Sequence, residues 1–304
     1  MANTRTFDEV NEMTFNSIVV EGLKSLEIRE GHRVNADSEQ DGVHGPDDVA
    51  SAHQFVEGSL ATDDILDLIG LLISTPGTAT WKGRKSGSAN WGQGTLTAPV
   101  PHGLSFSADQ GGFGRGNLNF TCRFASAGAT FADVVKWDEG GIAAPAAFPT
   151  PSRLWRPNTL AHGSLNVNHL VDLSFNLSGR VLTDADGNDI GETAVDVAGY
   201  AVPTVTITIR YSQEIAADTK KDMKTALVTN GIANLTVAFV GVGNAVPKTL
   251  TIRNVKFDEA RKTTGRNWTG HTLTGRCQWR DPLAPFTQRT INDATPANRL
   301  INFA

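Results

Sequence analysis

Cysteine is scarce: Cys122 and Cys277 are the only two in 304 residues. Two thiols supply neither a structural metal cluster nor a disulfide scaffold, and both read as buried side chains. Long hydrophobic runs are missing as well. Runs such as Ile65 to Ile73 fall far short of the about 20 apolar residues that cross a bilayer, so no membrane partner is expected. Met1 leads into the polar stretch Ala2-Asn3-Thr4-Arg5-Thr6, without the apolar centre of a secretory signal. The sequons at Asn119, Asn176, Asn234 and Asn267 are therefore read as incidental. A basic excess is absent too. The net charge of −5 argues against general binding to a phosphate backbone, while allowing nucleic acid to pass without adhering.

Catalytic and metal motifs are equally sparse. The seven histidines are scattered, with no His-x-x-x-His or His-Glu-x-x-His pair to suggest zinc. Neither a nucleophile elbow nor a phosphate-cradling Gly-x-x-x-x-Gly-Lys-Ser/Thr loop occurs. The glycine-rich stretch 111–116 precedes a strand pattern and not a helix, so it reads as a turn between strands. Asp184, Asp186 and Asp189 invite a calcium reading, but Gly187 and Glu192 fall at the wrong positions for an EF-hand loop, and a hairpin turn fits better. Lys82, Arg84 and Lys85 with Trp81 and Trp91 form the one basic and aromatic cluster. It suits a hairpin tip that grips a partner protein, and less well a stacking platform for single-stranded bases. No enzyme activity and no cofactor are expected.

What the sequence does contain is an internal repeat. Shifted by 155 positions, the segment Leu60 to Ile73 falls on Ile215 to Val228, matching Asp63 with Asp218, Asp67 with Asp222 and Leu72 with Leu227. The same shift sets Leu118 on Leu273, Cys122 on Cys277 and Phe124 on Trp279. Each copy reads as a strand, a polar loop, a strand leading into a helix, and further strands ending in the cysteine-bearing one. The first strands are Ile18 to Arg29 and about Leu170 to Thr183, where Val171, Leu173, Phe175 and Leu177 alternate with polar residues. The second strands are His53 to Ala61 and Val205 to Tyr211. Thr62 is the expected cap of a helix whose stripe is Ile65, Leu68, Ile69 and Leu72. A second helix is expected from about Asp218 to Asn230-Gly231.

The resulting organisation is mainly β with one helix per module: an N-terminal arm over 1–16, a first β module over 17–125, an Ala/Pro/Gly-rich connector over 126–166, a second β module over 167–283 and a C-terminal arm over 284–304. The arms show few periodic apolar residues and are expected to pack on a neighbouring subunit.

This order of strand, long polar loop, strand, helix and further strands resembles the tail tube protein module of tailed bacteriophages, in its duplicated two-module form. The resemblance covers roughly residues 17–124 and 170–280 and implies two tandem β-sandwich or half-barrel modules. It implies subunits that join sheets edge to edge into stacked rings, three chains to a ring, around a channel through which DNA passes without sequence readout. The implied location is the virion tail, assembled in the host cytoplasm, with tape-measure and other tail proteins as partners. The family's stacking loop matches Gly31 to Val49, which makes Asp37, Glu39, Asp41, His44 and Asp47 contact candidates; Asp184 to Ala198, with Asp184, Asp186 and Asp189, is the equivalent in the second copy. The resemblance also implies acidic side chains facing the channel. Rival readings are a tail terminator, baseplate hub or capsid decoration protein, or a two-domain β-sandwich that binds carbohydrate or a host surface through Trp81, Trp91, Trp268 or Trp279. Trp279, aligned with Phe124, reads better as core.

Overall fold

The computed structural model describes residues 9–37, 48–74, 77–84, 89–110, 112, 114–126, 129–145, 155–167, 170–185, 192–211, 231–241, 246–264, 269–280 and 288–304. The first half opens with a short hairpin, β1 (Glu9–Phe15) and β2 (Ile18–Val20), and a long one, β3 (Leu23–Asp37) and β4 (Asp48–Thr62). Helix α1 (Ile65–Ile73) follows, then β5 (Thr78–Arg84), β6 (Trp91–Thr97), β7 (Pro99–Asp109) and β8 (Arg115–Cys122). The one-turn helix α2 (Phe131–Val134) leads into β9 (Val135–Ile142). The second half comprises β10 (Trp155–His162), β11 (Leu165–Val167), β12 (Leu170–Ala185), β13 (Glu192–Tyr200), β14 (Thr204–Tyr211), β15 (Ala233–Gly241), β16 (Lys248–Thr264) and β17 (Thr269–Cys277). A 3-10 turn, Pro296–Asn298, leads into β18 (Ile301–Phe303).

The strands form a five-stranded sheet, β2-β1-β5-β6-β9, and a long sheet in the order β11-β10-β15-β16-β17-β14-β12-β7-β8-β4-β3, with β13 added beside β12 and β18 beside β16. Among the described residues every ladder between named strands is antiparallel, and an isolated bridge between Thr290 and Arg299 is parallel. The fold is thus mainly β, as the alternation in the sequence predicts.

The pairing register of the first half recurs in the second. Met13 faces Val20 and Trp81; Leu160, 147 positions on, faces Val167 and Val237. Leu26 faces Leu60 as Leu173 faces Ile207, again a shift of 147 in both strands. Ala79 faces Leu96 as Leu235 faces Ile252, now shifted by 156. Pro99 faces Cys122 as Val255 faces Cys277. Even the irregularities match. The ladder slips between Val10 and Glu12 and between Pro157 and Thr159, and again between Leu23 and Ser25 and between Leu170 and Asp172. It slips once more at Arg33/Val34 and Arg180/Val181, and at Pro101/Gly103 and Phe257/Glu259. A bulge inserts one residue and re-aims everything after it, so shared bulge positions are a demanding match. The bend that turns β6 into β7 uses Ala98 at φ 47°, and Asn254 inside β16 repeats it at φ 54°.

The shift of 155 read from the sequence therefore applies to β8 and β17, while the early strands match at 147. The difference arises because the second half is longer between β14 and β15. The expected second helix at 218–230 lies there, outside the described residues.

Each half packs one sheet face against another. Phe15 of β1 meets the ring of Phe120 of β8 edge-on at 5.7 Å. His162 takes the position of Phe15 in the second half, fully buried, with Nε2 2.9 Å from the carbonyl oxygen of Val255 and its ring 4.7 Å from Phe257. Burial lowers the pKa of His162. Helix α1 buries Ile65, Leu68, Ile69, Leu71 and Leu72 and reaches β2, β7, β8 and β18. Its cap is Asp64 and not the expected Thr62: Asp64 Oδ1 accepts from the amides of Leu66 at 2.9 Å and Asp67 at 3.4 Å. Thr62 closes β4 instead, its hydroxyl accepting from the Asp64 amide at 3.0 Å and donating to the Glu21 carbonyl.

The segments expected to be arms and connector are integral where they are described. Met13 and Phe15, in the expected N-terminal arm, are fully buried, and so are Leu300 and Ile301 in the expected C-terminal arm. These residues pack in the core of their own chain. The expected connector supplies α2, β9, β10 and most of β11. Both cysteines are buried and unpaired, with thiol pKa values pushed up to about 12 by burial.

Candidate assembly surfaces

Sheet edges are the first candidate. β3 ends the long sheet and, among the described residues, pairs only with β4. Along it Leu26 and Ile28 are half-buried, and Lys24, Ser25, Glu27, Arg29 and Glu30 are exposed. Charged residues on an edge strand discourage indiscriminate pairing. Arg29 lies over the ring of Phe55 at 5.3 Å, and partial desolvation raises the pKa of Glu30.

The second open edge is less obvious. β16 is a long strand with two lives: Lys248 to Val255 pairs with β15, and Val255 to Thr264 pairs with β17. Past Val255 the side that β15 covered has no strand beside it among the described residues. Asp258 to Thr264 are all exposed. The matching strand of the first half, β7, is paired on both sides, by β8 and by β12, and Leu104, Phe106 and Ala108 there are at most 3% exposed.

The junction between the halves is itself an edge-to-edge pairing. β12 joins β7 in one unbroken register, with Phe175 facing Phe106, Leu177 facing Leu104 and Ser178 facing Gly103. The rings of Phe106 and Phe175 stack at 5.3 Å. Gly179 continues the contact: a Cβ there would stand 2.3 Å from the His102 carbonyl oxygen.

Among the described residues the centre of the long sheet's opposite face is uncovered, and short neutral side chains dominate it. Ser107 faces Ser174, Ser105 faces Asn176, and Thr206 faces Thr274; the hydroxyls of Thr208 and Thr272 are 3.2 Å apart. Several of the charges at its margins are paired. Asp63 receives Lys24 at 2.7 Å and Arg115 at 3.3 Å, and Asp258 receives Arg276 at 3.2 Å. A broadly open depression of about 470 Å³ on this face is lined by Glu27, Glu57, His102, Asn119 and Thr183 among others. Burial lowers the His102 pKa more than the charge of Glu57 raises it. Among the described residues no group of three or more His, Cys, Asp or Glu is placed to hold a metal ion, and no helix is long and apolar enough to cross a membrane.

The contact candidates from the sequence divide. Asp37 ends β3, where it pairs with Asp48, so the ladder takes up much of the stretch expected to be a loop over Gly31 to Val49. Glu39, Asp41, His44 and Asp47 lie outside the described residues. Asp184 sits in β12, paired with Ala194 of β13, which turns most of the other expected loop into a hairpin; Asp186 and Asp189 lie outside the described residues. The basic and aromatic cluster does not act as one surface. Trp81 is only 6% exposed and belongs to the core. Lys82 pairs with Glu12 at 3.1 Å. Arg84 stands over the Trp91 ring at 4.9 Å, on the outer part of the β5–β6 hairpin, and Lys85 is outside the described residues. Trp268 is also outside them. Trp279 is half-buried and packs against the core, 5.8 Å from the Tyr200 ring.

No protein-family model matches this chain, and no curated protein does.

Proposed function

We propose that the chain is a structural subunit of a bacteriophage tail tube, whose copies join into stacked rings around a channel for DNA. The observation that carries this reading is the repeated pairing pattern. Two matching halves meet edge to edge inside one chain through β7 and β12; of the strands equivalent to those two, β3 ends the long sheet and the outer half of β16 has no strand on the side away from β17, among the described residues. A chain built this way has a donor edge and an acceptor edge related by its own internal symmetry. Heterologous contacts of that kind close into rings or run on as filaments.

The uncovered sheet face supports the same role. If it lines the channel, DNA meets hydroxyl and amide groups in place of clustered cations. Such a surface releases few counterions on contact, so it gains little affinity for the phosphate backbone. A neutral carpet achieves the slippery passage for which the resemblance implies acidic side chains. The virion tail, with tape-measure and other tail proteins as partners, is the location that goes with this role.

Sedimentation velocity over a rising concentration series, with negative-stain microscopy of the same samples, tests the proposal. Rings or hollow tubes that grow with concentration are the expected result. A uniform monomer at every concentration contradicts it.

A further inference from the structure

We infer the register of the contact between copies: β3 of one subunit pairs antiparallel with the outer half of β16 of the next, with Glu27 opposite Thr263 and Glu30 opposite Ala260. The inference rests on the assembly reading above and adds to it a partner, a second copy of this chain, and a residue-by-residue alignment.

The internal junction supplies the template. β12 maps onto β3 by the shift of 147 that relates Leu173 to Leu26 and Ile207 to Leu60. β7 maps onto β16 by the shift of 156 that relates Pro99 to Val255 and the Pro101/Gly103 bulge to that at Phe257/Glu259. Ser174 faces Ser107 and Leu177 faces Leu104 in the internal junction. Transferring both strands sets Leu26 opposite Thr264, Glu27 opposite Thr263, Ile28 opposite Lys262, and so on to Gly31 opposite Glu259.

Three properties of the two edges fit this alignment. First, Leu26 and Ile28 are half-buried, whereas Leu173 and Phe175 at the equivalent positions are 1% and 2% exposed; pairing completes their burial. Second, the charges complement each other. Glu27, Arg29 and Glu30 on β3 carry net −1, and Glu259, Arg261 and Lys262 on β16 carry net +1. Arg29 and Arg261 come to face one another, but each has a carboxylate on a diagonal, Glu259 and Glu27 respectively, and Lys262 is diagonal to Glu30. Diagonal neighbours about 7–8 Å apart are within reach of long side chains. Third, both strands present backbone groups with no strand beside them among the described residues. An antiparallel partner satisfies those groups and removes the aggregation hazard of a bare edge.

Disulfide trapping in the full-length protein tests the register. Directly opposed residues of an antiparallel pair lie about 4.5–5.5 Å apart at Cα, within disulfide reach. Under mild oxidation of the assembled protein, Glu27→Cys with Thr263→Cys gives a ladder of covalent oligomers. Glu27→Cys with Glu259→Cys, displaced by about 13 Å along the strand, stays monomeric on a denaturing gel. The native thiols, both buried, do not interfere. Assemblies that ladder through the displaced pair, or through neither pair, overturn the register while leaving the assembly reading intact. A wild-type chain that forms no assemblies overturns both. If the variants fail to assemble, hydrogen exchange of the wild-type protein decides. Assembly slows exchange at residues 26–31 and 259–264 at least about tenfold if the register is right, and leaves either segment unchanged if it is wrong.

Discussion

Gly94→Ala destabilises the protein by about 3 kcal/mol or more, and installing the second half's solution at the same place reverses most of that loss. Trp81 faces Gly94 across β5 and β6, and a Cβ on Gly94 would stand 2.1 Å from the Trp81 ring. The indole is buried and only 6.5 Å from the Trp137 ring, so it has little room to retreat. In the second half the equivalent pair is Val237 facing Leu250: small where the first half is large, and large where it is small. Trp81→Val alone opens a cavity and costs a further roughly 3 kcal/mol. Trp81→Val with Gly94→Leu transplants the Val–Leu pair and returns the stability to within about 2 kcal/mol of wild type, because packing tolerates swaps that conserve volume. Urea denaturation of Trp81→Val, Gly94→Leu and the double variant measures this as a coupling energy. Additive losses would mean that the two halves share a ladder but not interchangeable packing.

Asp64→Asn raises the melting temperature by several degrees at pH 8, and by almost nothing near pH 4. Asp64 is 5% exposed, and burial, then the neighbouring charge of Asp67, push its pKa up from 3.8 to about 7 despite the amides of Leu66 and Asp67 that favour the anion. The folded state therefore holds a proton that the unfolded chain releases. Stability from this group is complete below about pH 4 and is lost as the pH rises through about 7. Each pKa unit corresponds to about 1.4 kcal/mol, so ionising this carboxyl in the fold costs on the order of 4 kcal/mol. Asparagine keeps the acceptor that caps α1 and never ionises, so the variant escapes the loss. Thermal melts of both proteins between pH 4 and pH 8 check the pattern. A variant less stable than wild type at pH 8 would mean that the attraction between the carboxylate and the helix end outweighs its desolvation.

How much of this was legible in the sequence depended on whether burial alternated without interruption. β12 was readable because Leu173, Phe175 and Leu177 all point into the core. β8 and β17 were readable through their cysteines. α1 was readable through its stripe, but its cap was misplaced because the Thr62 hydroxyl is used to end β4. β1 was missed because the slip between Val10 and Glu12 breaks the alternation before Met13 and Phe15. β10 was missed for the same reason at Pro157/Thr159, with a proline adding to the disguise. The outer half of β16, Asp258 to Thr264, carries no large apolar side chain that would mark it as a strand. It is an edge, and an edge strand has no second neighbour to demand apolar residues. The candidate contact surface was therefore the least legible part. Which strands end a sheet is decided by pairings between distant segments, and acidic loop residues such as Asp47 and Asp189 drew attention that the two edges could not.

On the proposed reading, one chain contributes two equivalent units to a closed assembly built by repeating its internal junction. End-on electron-microscopy averages of the rings, combined with the number of chains per ring from their mass, test it most directly. Twice as many lobes around the ring as chains in it, evenly spaced, are the expected result. One lobe per chain, or lobes spaced in alternating wide and narrow intervals, would show that the contact between copies does not repeat the junction between β7 and β12.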